Sequence, residues 1–130
     1  MALNPNLKIA IIEDSDLIRR SIVECLEANQ YSVVGEAKNA KEAISLIQQN
    51  QANVYIIDVV MPEVSGLELA KQIHKNIPEA KLIIMSSLNL ESVVIEAISS
   101  GAFDFLSKPF EMSDLIDSLK KIEQEMLNEL

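Results

Sequence analysis

Short apolar runs alternate along this chain with longer segments in which apolar residues recur every three or four positions. The short runs cover residues 7–12, 31–34, 54–57, 82–85 and 103–106. Most of them are continuous, without the alternation expected of a strand that has one face in water. They therefore predict strands that are buried on both faces.

The segments between these runs carry the amphipathic pattern of α-helices. Their apolar stripes consist of Leu17, Ile18, Ile22, Cys25 and Leu26; Ala43, Ile44 and Ile47; Leu67, Ala70 and Ile73; Val93, Val94, Ala97 and Ile98; and Met112, Leu115, Ile116, Leu119 and Ile122. Polar residues able to cap the helices stand near the helix starts, namely Asp16, Asn39, Ser65, Asn89 and Ser113 or a neighbour of Ser113. Gly101 follows the fourth helix, where a left-handed residue is expected.

The strict alternation of strand and helix predicts a single α/β domain, a doubly wound parallel sheet with helices on both faces. For such a sheet with five strands the common order is 2-1-3-4-5, the flavodoxin-like arrangement. We expect the domain to cover residues 7–122, after a short lead over 1–6 and before the end of the last helix or a tail over 123–130.

Composition and charge narrow the possible partners and location. The formal net charge of −9 argues against direct nucleic-acid binding, which needs Lys and Arg to neutralise phosphates. No apolar run approaches the roughly 20 residues that cross a bilayer, and the first residues lack the regions of a secretory signal. The single cysteine, Cys25, allows no intrachain disulfide and favours a reducing compartment. We therefore expect a cytoplasmic protein with neither a nucleic-acid nor a membrane partner.

Side chains suited to phosphoryl chemistry follow four of the predicted strands. Glu13 and Asp14 follow the first strand, Asp58 the third, Ser86 ends the fourth and Lys108 follows the fifth. Because ligands of such sheets bind outside the carboxyl ends of the strands, we expect these side chains to meet at one edge.

The chemistry of this set favours phosphoryl transfer assisted by Mg²⁺. Clustered carboxylates repel one another unless a cation joins them, and oxygen ligands without His or Cys favour Mg²⁺. A carboxylate can act as a nucleophile and form an aspartyl phosphate, whose oxygens a lysine and a hydroxyl can bind. Each residue alone is explained as well by a turn, a helix cap or a surface lysine. Their predicted convergence favours the joint interpretation.

The sequence resembles the receiver domain of two-component response regulators. The matching segments are Ile-Ile-Glu-Asp-Ser at 11–15, Ile-Ile-Asp-Val-Val-Met-Pro at 56–62 with Gly66, Ile-Met-Ser-Ser at 84–87 and Phe-Leu-Ser-Lys-Pro-Phe at 105–110. The resemblance implies that Asp58 is the phosphoacceptor. It also implies that Mg²⁺ is bound by Glu13, Asp14, Asp58 and the main-chain carbonyl of Val60.

The resemblance assigns further roles to the last two strand ends. Lys108 would bind the phosphoryl group, and the Lys108–Pro109 peptide would be cis. Ser86 would be the switch hydroxyl and Phe105 the aromatic that rotates with it, although ordinary packing explains Phe105 equally well. Val60 and Leu88 are apolar where some receivers carry polar residues that assist hydrolysis, so we hypothesise a long-lived phosphorylated state.

The function implied is that of a switch rather than an enzyme. A sensor histidine kinase or phosphotransfer protein would supply the phosphoryl group, and the fourth helix, fifth strand and fifth helix would signal to a protein partner. The pattern is similar to the chemotaxis, CheY-like, single-domain type. A phosphorelay intermediate, a phosphate sink, a piece of a longer regulator and a phosphorylation-dependent dimer all stay open.

Two other classes of function are weighed against the receiver. Asp14-Ser15-Asp16 fits the nucleophile motif of haloacid-dehalogenase-like phosphohydrolases, but that interpretation leaves Asp58 without a role. A nucleotide or flavin binder needs a loop of free N–H groups after the first strand, and the acidic loop here would repel phosphate.

Overall fold

Strands and helices alternate through residues 6–129, which the computed structural model describes. The strands are β1 Lys8–Ile12, β2 Ser32–Ala37, β3 Val54–Asp58, β4 Lys81–Ser86 and β5 Asp104–Ser107. The helices are α1 Asp16–Ala28, α2 Ala40–Gln49, α3 Gly66–Asn76, α4 Glu91–Ser99 and α5 Met112–Asn128. Of the predicted lead over 1–6 only Asn6 lies within the described residues, and α5 continues well into the segment 123–130.

The strands form one parallel sheet in the order β2-β1-β3-β4-β5, which confirms the predicted topology. All residues of β3 are buried, because this strand lies between β1 and β4 and is covered on both faces. The register of β1 and β2 shifts by one residue, with Ile9 opposite Val33 and Ala10 opposite Gly35. This bulge bends the edge strand where a Cβ at Gly35 would collide with Leu46.

Apolar layers cover the two faces of the sheet. α2, α3 and α4 pack on one face and α1 and α5 on the other, as predicted for a doubly wound fold. Several predicted core positions are nevertheless exposed, among them Leu17 at 77%, Ile44 at 42% and Ile98 at 63%. Leu17 lies in the first turn of α1, at the edge of the sheet, and Ile98 lies on a helix that covers only the margin of the sheet. None of the helices between residues 6 and 129 has the length and apolarity that crossing a membrane requires.

The starts of the first three helices are capped by side chains. Asn39 Oδ1 accepts the Glu42 N–H at 2.9 Å and Ser65 Oγ accepts the Leu67 N–H at 3.1 Å, as predicted. The cap of α1 is Ser15 rather than the predicted Asp16, because the chain is still extended at Ser15.

The last two helices begin differently from the prediction. α4 begins after Leu90, which caps it without a side-chain hydrogen bond, so the predicted cap Asn89 is wrong. α5 begins after Glu111, whose N–H donates to Asp114 Oδ2 at 3.1 Å. Gly101 follows α4 with φ of 95°, which confirms the predicted left-handed residue.

Candidate functional site

The carboxyl edge of the sheet brings together the acidic residues that follow β1 and β3. One oxygen each of Glu13, Asp14 and Asp58 lies within 4.8 Å of the others. Glu13 and Asp58 are buried, with 1% and 4% of their surface exposed, whereas Asp14 is exposed. The predicted cluster is therefore formed, with Glu13 and Asp58 at its floor and Asp14 at its mouth.

Lys108 reaches into this cluster from the end of β5. Its Nζ lies 2.5 Å from Glu13 Oε1 and 3.2 Å from Asp58 Oδ1. Its own N–H donates to the Ser86 carbonyl at 2.8 Å, and the Lys108–Pro109 peptide is cis, as the resemblance implied. One ammonium thus bridges carboxylates that are supplied by two different strands.

The charges of the cluster are unbalanced. Burial raises the pKa of Asp58, although Lys108 opposes the shift. Burial also raises the pKa of Glu13, again against its hydrogen bond to Lys108. Burial by itself would lower the pKa of Lys108, but Glu13 and Asp58 outweigh it and the net shift is upward. Because three carboxylates face one ammonium, a divalent cation with oxygen ligands fits this site.

Gly66 allows α3 to begin directly beside the end of β3. A Cβ at this position would collide with the main-chain oxygen of Asp58. The Gly66 N–H donates to the Val59 carbonyl at 2.8 Å. Any larger residue would push α3 away from Asp58 and disturb the loop between them, so Gly66 shapes the site although it carries no side chain.

The predicted switch residues lie around the cluster without joining it. Ser86 is fully buried, and its Oγ accepts the Leu88 N–H at 2.8 Å. Phe105 is half-buried and packs against the layer that contains α2, α3 and α4. Val60 and Leu88 are exposed at 50% and 45%, so both apolar side chains lie open to solvent beside the Asp58 and Ser86 backbones.

Arg19 also contacts the site, although no pattern in the sequence marks it as a site residue. Its Nη1 donates to the main-chain carbonyl of Glu13 at 2.9 Å. The Ser15 N–H donates to Glu13 Oε2 at 3.0 Å, so Arg19 holds the backbone of Glu13 and the cap residue of α1 holds its side chain. An arginine one turn into α1 is an ordinary helix residue in the sequence, and only the fold brings it to the acidic loop.

Comparison with known proteins defines the class. Residues 9–120 match the family model described as the response regulator receiver domain. The chain therefore belongs to the response regulator receiver family. Receiver domains are phosphoacceptor switches, and phosphorylation on Asp and use of Mg²⁺ are general in this family.

The similar curated proteins include several chemotaxis regulators. The chain is 34% identical over 115 residues to chemotaxis protein CheY of Thermotoga maritima. This alignment covers 88% of this chain and 96% of that protein. Its identity to CheY of Bacillus subtilis is 32% over 114 residues, which cover 88% of this chain and 95% of that protein. The receiver domain is thus of the CheY-like kind.

Solved structures support the same fold. A CheY-like receiver domain protein from Methanospirillum hungatei aligns with a TM-score of 0.89 and 25% identity, covering 97% of this chain and all of that one. A chain of the CheX-CheY-BeF3-Mg+2 complex from Borrelia burgdorferi aligns with a TM-score of 0.84 and 19% identity, and the alignment covers 89% of this chain and 88% of that one. The second likeness, at that identity, concerns the fold alone.

Proposed function

We propose that this protein is a single-domain response regulator whose Asp58 accepts a phosphoryl group from the phosphohistidine of a sensor kinase or phosphotransfer protein. The observation that carries the proposal is the buried Asp58 carboxylate, 3.2 Å from Lys108 and clustered with Glu13 and Asp14. Such a donor implies that the protein works in the cytoplasm.

Glu13, Asp14, Asp58 and the main-chain carbonyl of Val60 would hold Mg²⁺. The ion would supply neutralisation of the phosphoryl oxygens, which phosphoryl transfer requires more than covalent help. The oxygen-only donor set and its excess of negative charge support this assignment.

In the transfer, an Asp58 carboxylate oxygen attacks phosphorus while the bond from phosphorus to the donor imidazole nitrogen breaks. The imidazole leaves with the electron pair of that bond and is protonated. Lys108 then binds a phosphoryl oxygen at the position where it now contacts Asp58. A carboxylate that already lies at the ammonium needs little rearrangement before it reacts.

Ser86 would couple this event to the surface. Its Oγ, which now accepts the Leu88 N–H, would turn towards the phosphoryl group, give up that bond and donate its O–H in a stronger, charge-assisted bond. The loop that begins at Leu88 and leads into α4 shifts with it, and Phe105 follows into the space vacated. The changed surface of α4, β5 and α5 would then bind a protein target, in a chemotaxis-like role suggested by the CheY relatives.

The direct test is incubation with Mg²⁺ and acetyl phosphate, followed by intact mass and size-exclusion chromatography. We expect the parent to gain one phosphoryl group and the D58N variant to gain none. Size exclusion distinguishes a monomer from a phosphorylation-dependent dimer. A parent that gains no phosphoryl group would refute the proposal.

A phosphohydrolase that uses Asp14 is the alternative, and the same assay separates it. That reaction needs Asp16 as a partner, yet Asp16 is bound to Arg19 and lies outside the carboxylate cluster. Loss of a covalent intermediate in D14N with retention in D58N would favour the hydrolase.

The lifetime of the phosphorylated state tests whether the exposed apolar residues Val60 and Leu88 slow hydrolysis. Val60 and Leu88 offer no hydrogen bond to an attacking water, so we propose that they slow hydrolysis. We expect the double variant V60N/L88E to lose its phosphoryl group faster, at least about tenfold. An unchanged rate of dephosphorylation would contradict this part of the proposal.

A further inference from the structure

Arg19 joins three segments of the chain beside the acidic cluster. Besides the bond to the Glu13 carbonyl, its Nη2 binds Asp16 Oδ1 at 2.5 Å and its Nε binds Glu36 Oε1 at 3.1 Å. These partners belong to the β1–α1 loop, to the first turn of α1 and to β2. The Arg19 side chain is 14% exposed, and its guanidinium makes contacts along three separate N–H directions, which a lysine ammonium on a flexible stem does not reproduce.

Of the three Arg19 contacts, the hydrogen bond to the Glu13 carbonyl indicates what Arg19 does at the site. Asp16 and Glu36 are 77% and 47% exposed, so ion pairs to them stabilise the fold little. Glu13, in contrast, is buried and has a partner on each polar atom: its N–H donates to the Ala37 carbonyl, and its carboxylate accepts from Lys108 and from the Ser15 N–H. Arg19 completes this set at the carbonyl oxygen.

We propose that Arg19 is a positioning residue that sets the Mg²⁺ affinity of the site by holding the Glu13–Asp14 backbone. The inference rests on the proposed function. Arg19 touches none of the carboxylates in the cluster; it acts by fixing the carbonyl from which the chain turns into Asp14. Groups that orient metal ligands from outside commonly change metal affinity by about 10–100-fold.

The direction in which the Mg²⁺ affinity changes distinguishes a positioning role of Arg19 from a purely electrostatic one. Removal of a positive charge near an anionic site strengthens the binding of a cation, whereas loosening of the ligands weakens it. R19Q removes both the charge and the bonds. R19K keeps the charge and loses the three-way geometry. Arg20, the next residue, is exposed and makes no ion pair within the part of the chain that is described, so R20Q removes the same charge alone.

The experiment measures the Mg²⁺ dissociation constant of these full-length variants by titration calorimetry. We expect R19Q and R19K to bind about tenfold more weakly than the parent. R20Q should bind within about twofold of the parent or more tightly, because its exposed charge is screened. An R19K variant with the parent constant would overturn the inference, since charge would then suffice.

The Mg²⁺ requirement of phosphorylation provides a second measurement, which would not change if Arg19 only stabilised the fold. With acetyl phosphate, the Mg²⁺ concentration at half-maximal rate should rise in R19Q while the rate at saturating Mg²⁺ stays close to that of the parent. A lower saturating rate with an unchanged Mg²⁺ requirement would contradict positioning of the metal ligands. If R19Q fails to fold, R19K, which keeps the charge, carries the test by itself and should still need more Mg²⁺ for the half-maximal rate than the parent does.

Failure of this inference is distinguishable from failure of the proposed function. A parent that takes up a phosphoryl group and binds Mg²⁺, with R19Q and R19K binding Mg²⁺ as tightly as the parent does, overturns the role of Arg19 only. A parent that does neither overturns both.

Discussion

Helices α4 and α5 flank the edge strand β5 from opposite faces of the sheet, yet they are attached to the fold very differently. α5 has 17 residues and buries Leu115, Ser118, Leu119 and Ile122. α4 has 9 residues and buries only Ala97, while Leu90, Ile95 and Ile98 at or beside it are more than half exposed. Because burial of apolar surface supplies most of the stabilisation, α5 contributes far more to the fold.

Polar contacts reinforce the difference. Along α5, Ser118 Oγ donates to Asp104 Oδ2 at 2.8 Å, the Tyr31 hydroxyl donates to Glu123 at 2.5 Å, and Lys81 pairs with Glu129 at 2.9 Å. These bonds join the helix to β5, to the start of β2 and to β4. The ion pair from α4, between Glu96 and Lys71 of α3, is exposed and stabilises little.

The comparison indicates which side of β5 can respond to a chemical event at Asp58. A segment with few buried contacts opens at a small free-energy cost, whereas one that is packed and bonded along its length does not. A ligand or modification shifts an equilibrium only by its differential contacts, usually a few kcal/mol. We therefore expect α4 to move against a framework that includes α5.

The largest expected difference comes from truncating one apolar side chain in each helix. L119A leaves a cavity under α5 and should lower the free energy of unfolding by about 2–5 kcal/mol. I98A removes an exposed side chain and should change it by less than about 0.5 kcal/mol. Urea denaturation followed by circular dichroism measures both. Similar losses in the two variants would show that α4 and α5 are anchored equally well.

Two serines provide a smaller, matched test. S118A removes the donor to Oδ2 of the half-buried Asp104 carboxylate, whose Oδ1 keeps the Phe105 N–H, and should cost about 1–3 kcal/mol in the free energy of unfolding. S99A in α4 loses only a bond to the Ile95 carbonyl of its own helix, on an exposed side, and should be close to neutral. If both substitutions lower the free energy of unfolding equally in denaturant titrations, the bond between Ser118 and Asp104 does not stabilise α5.

An added cap should reduce the difference between the helices. L90D supplies the missing acceptor at the start of α4 and should raise the free energy of unfolding by about 0.5–1 kcal/mol. Hydrogen exchange of the α4 amides should slow in the same variant. L90A, which removes the same side chain without an acceptor, is the control. Equal exchange rates in L90D and L90A would show that the uncapped end is not what loosens α4.

The smallest effect concerns pH at the far end of α5. Burial, followed by the bond to Glu123, raises the pKa of Tyr31. The folded state therefore prefers the neutral phenol, so this contribution is complete below the ordinary phenol pKa of about 10 and is lost as the pH rises above it. Between pH 9 and 11 we expect the parent to lose slightly more stability than Y31F, as measured by urea midpoints. Parallel pH profiles would exclude the effect.

Much of the fold was predictable because its signals are local. The apolar runs specify strands buried on both faces, and their alternation with helices implies a parallel sheet. The cluster of Glu13, Asp14, Asp58 and Lys108 followed from this topology, since the ends of parallel strands meet at one edge. The exposure of Ile98 was not predictable, because an apolar stripe indicates which face a helix prefers to bury but not how much sheet lies beneath it.

The class of fold, the edge of the sheet that carries the site and the kinds of side chain found there can all be inferred from the sequence, because periodicity and strand ends are properties of neighbouring residues. The folded chain decides that Arg19 holds the Glu13 carbonyl and that α5 is anchored while α4 is not. Each of these depends on the distances and directions between segments that only the folded chain brings together.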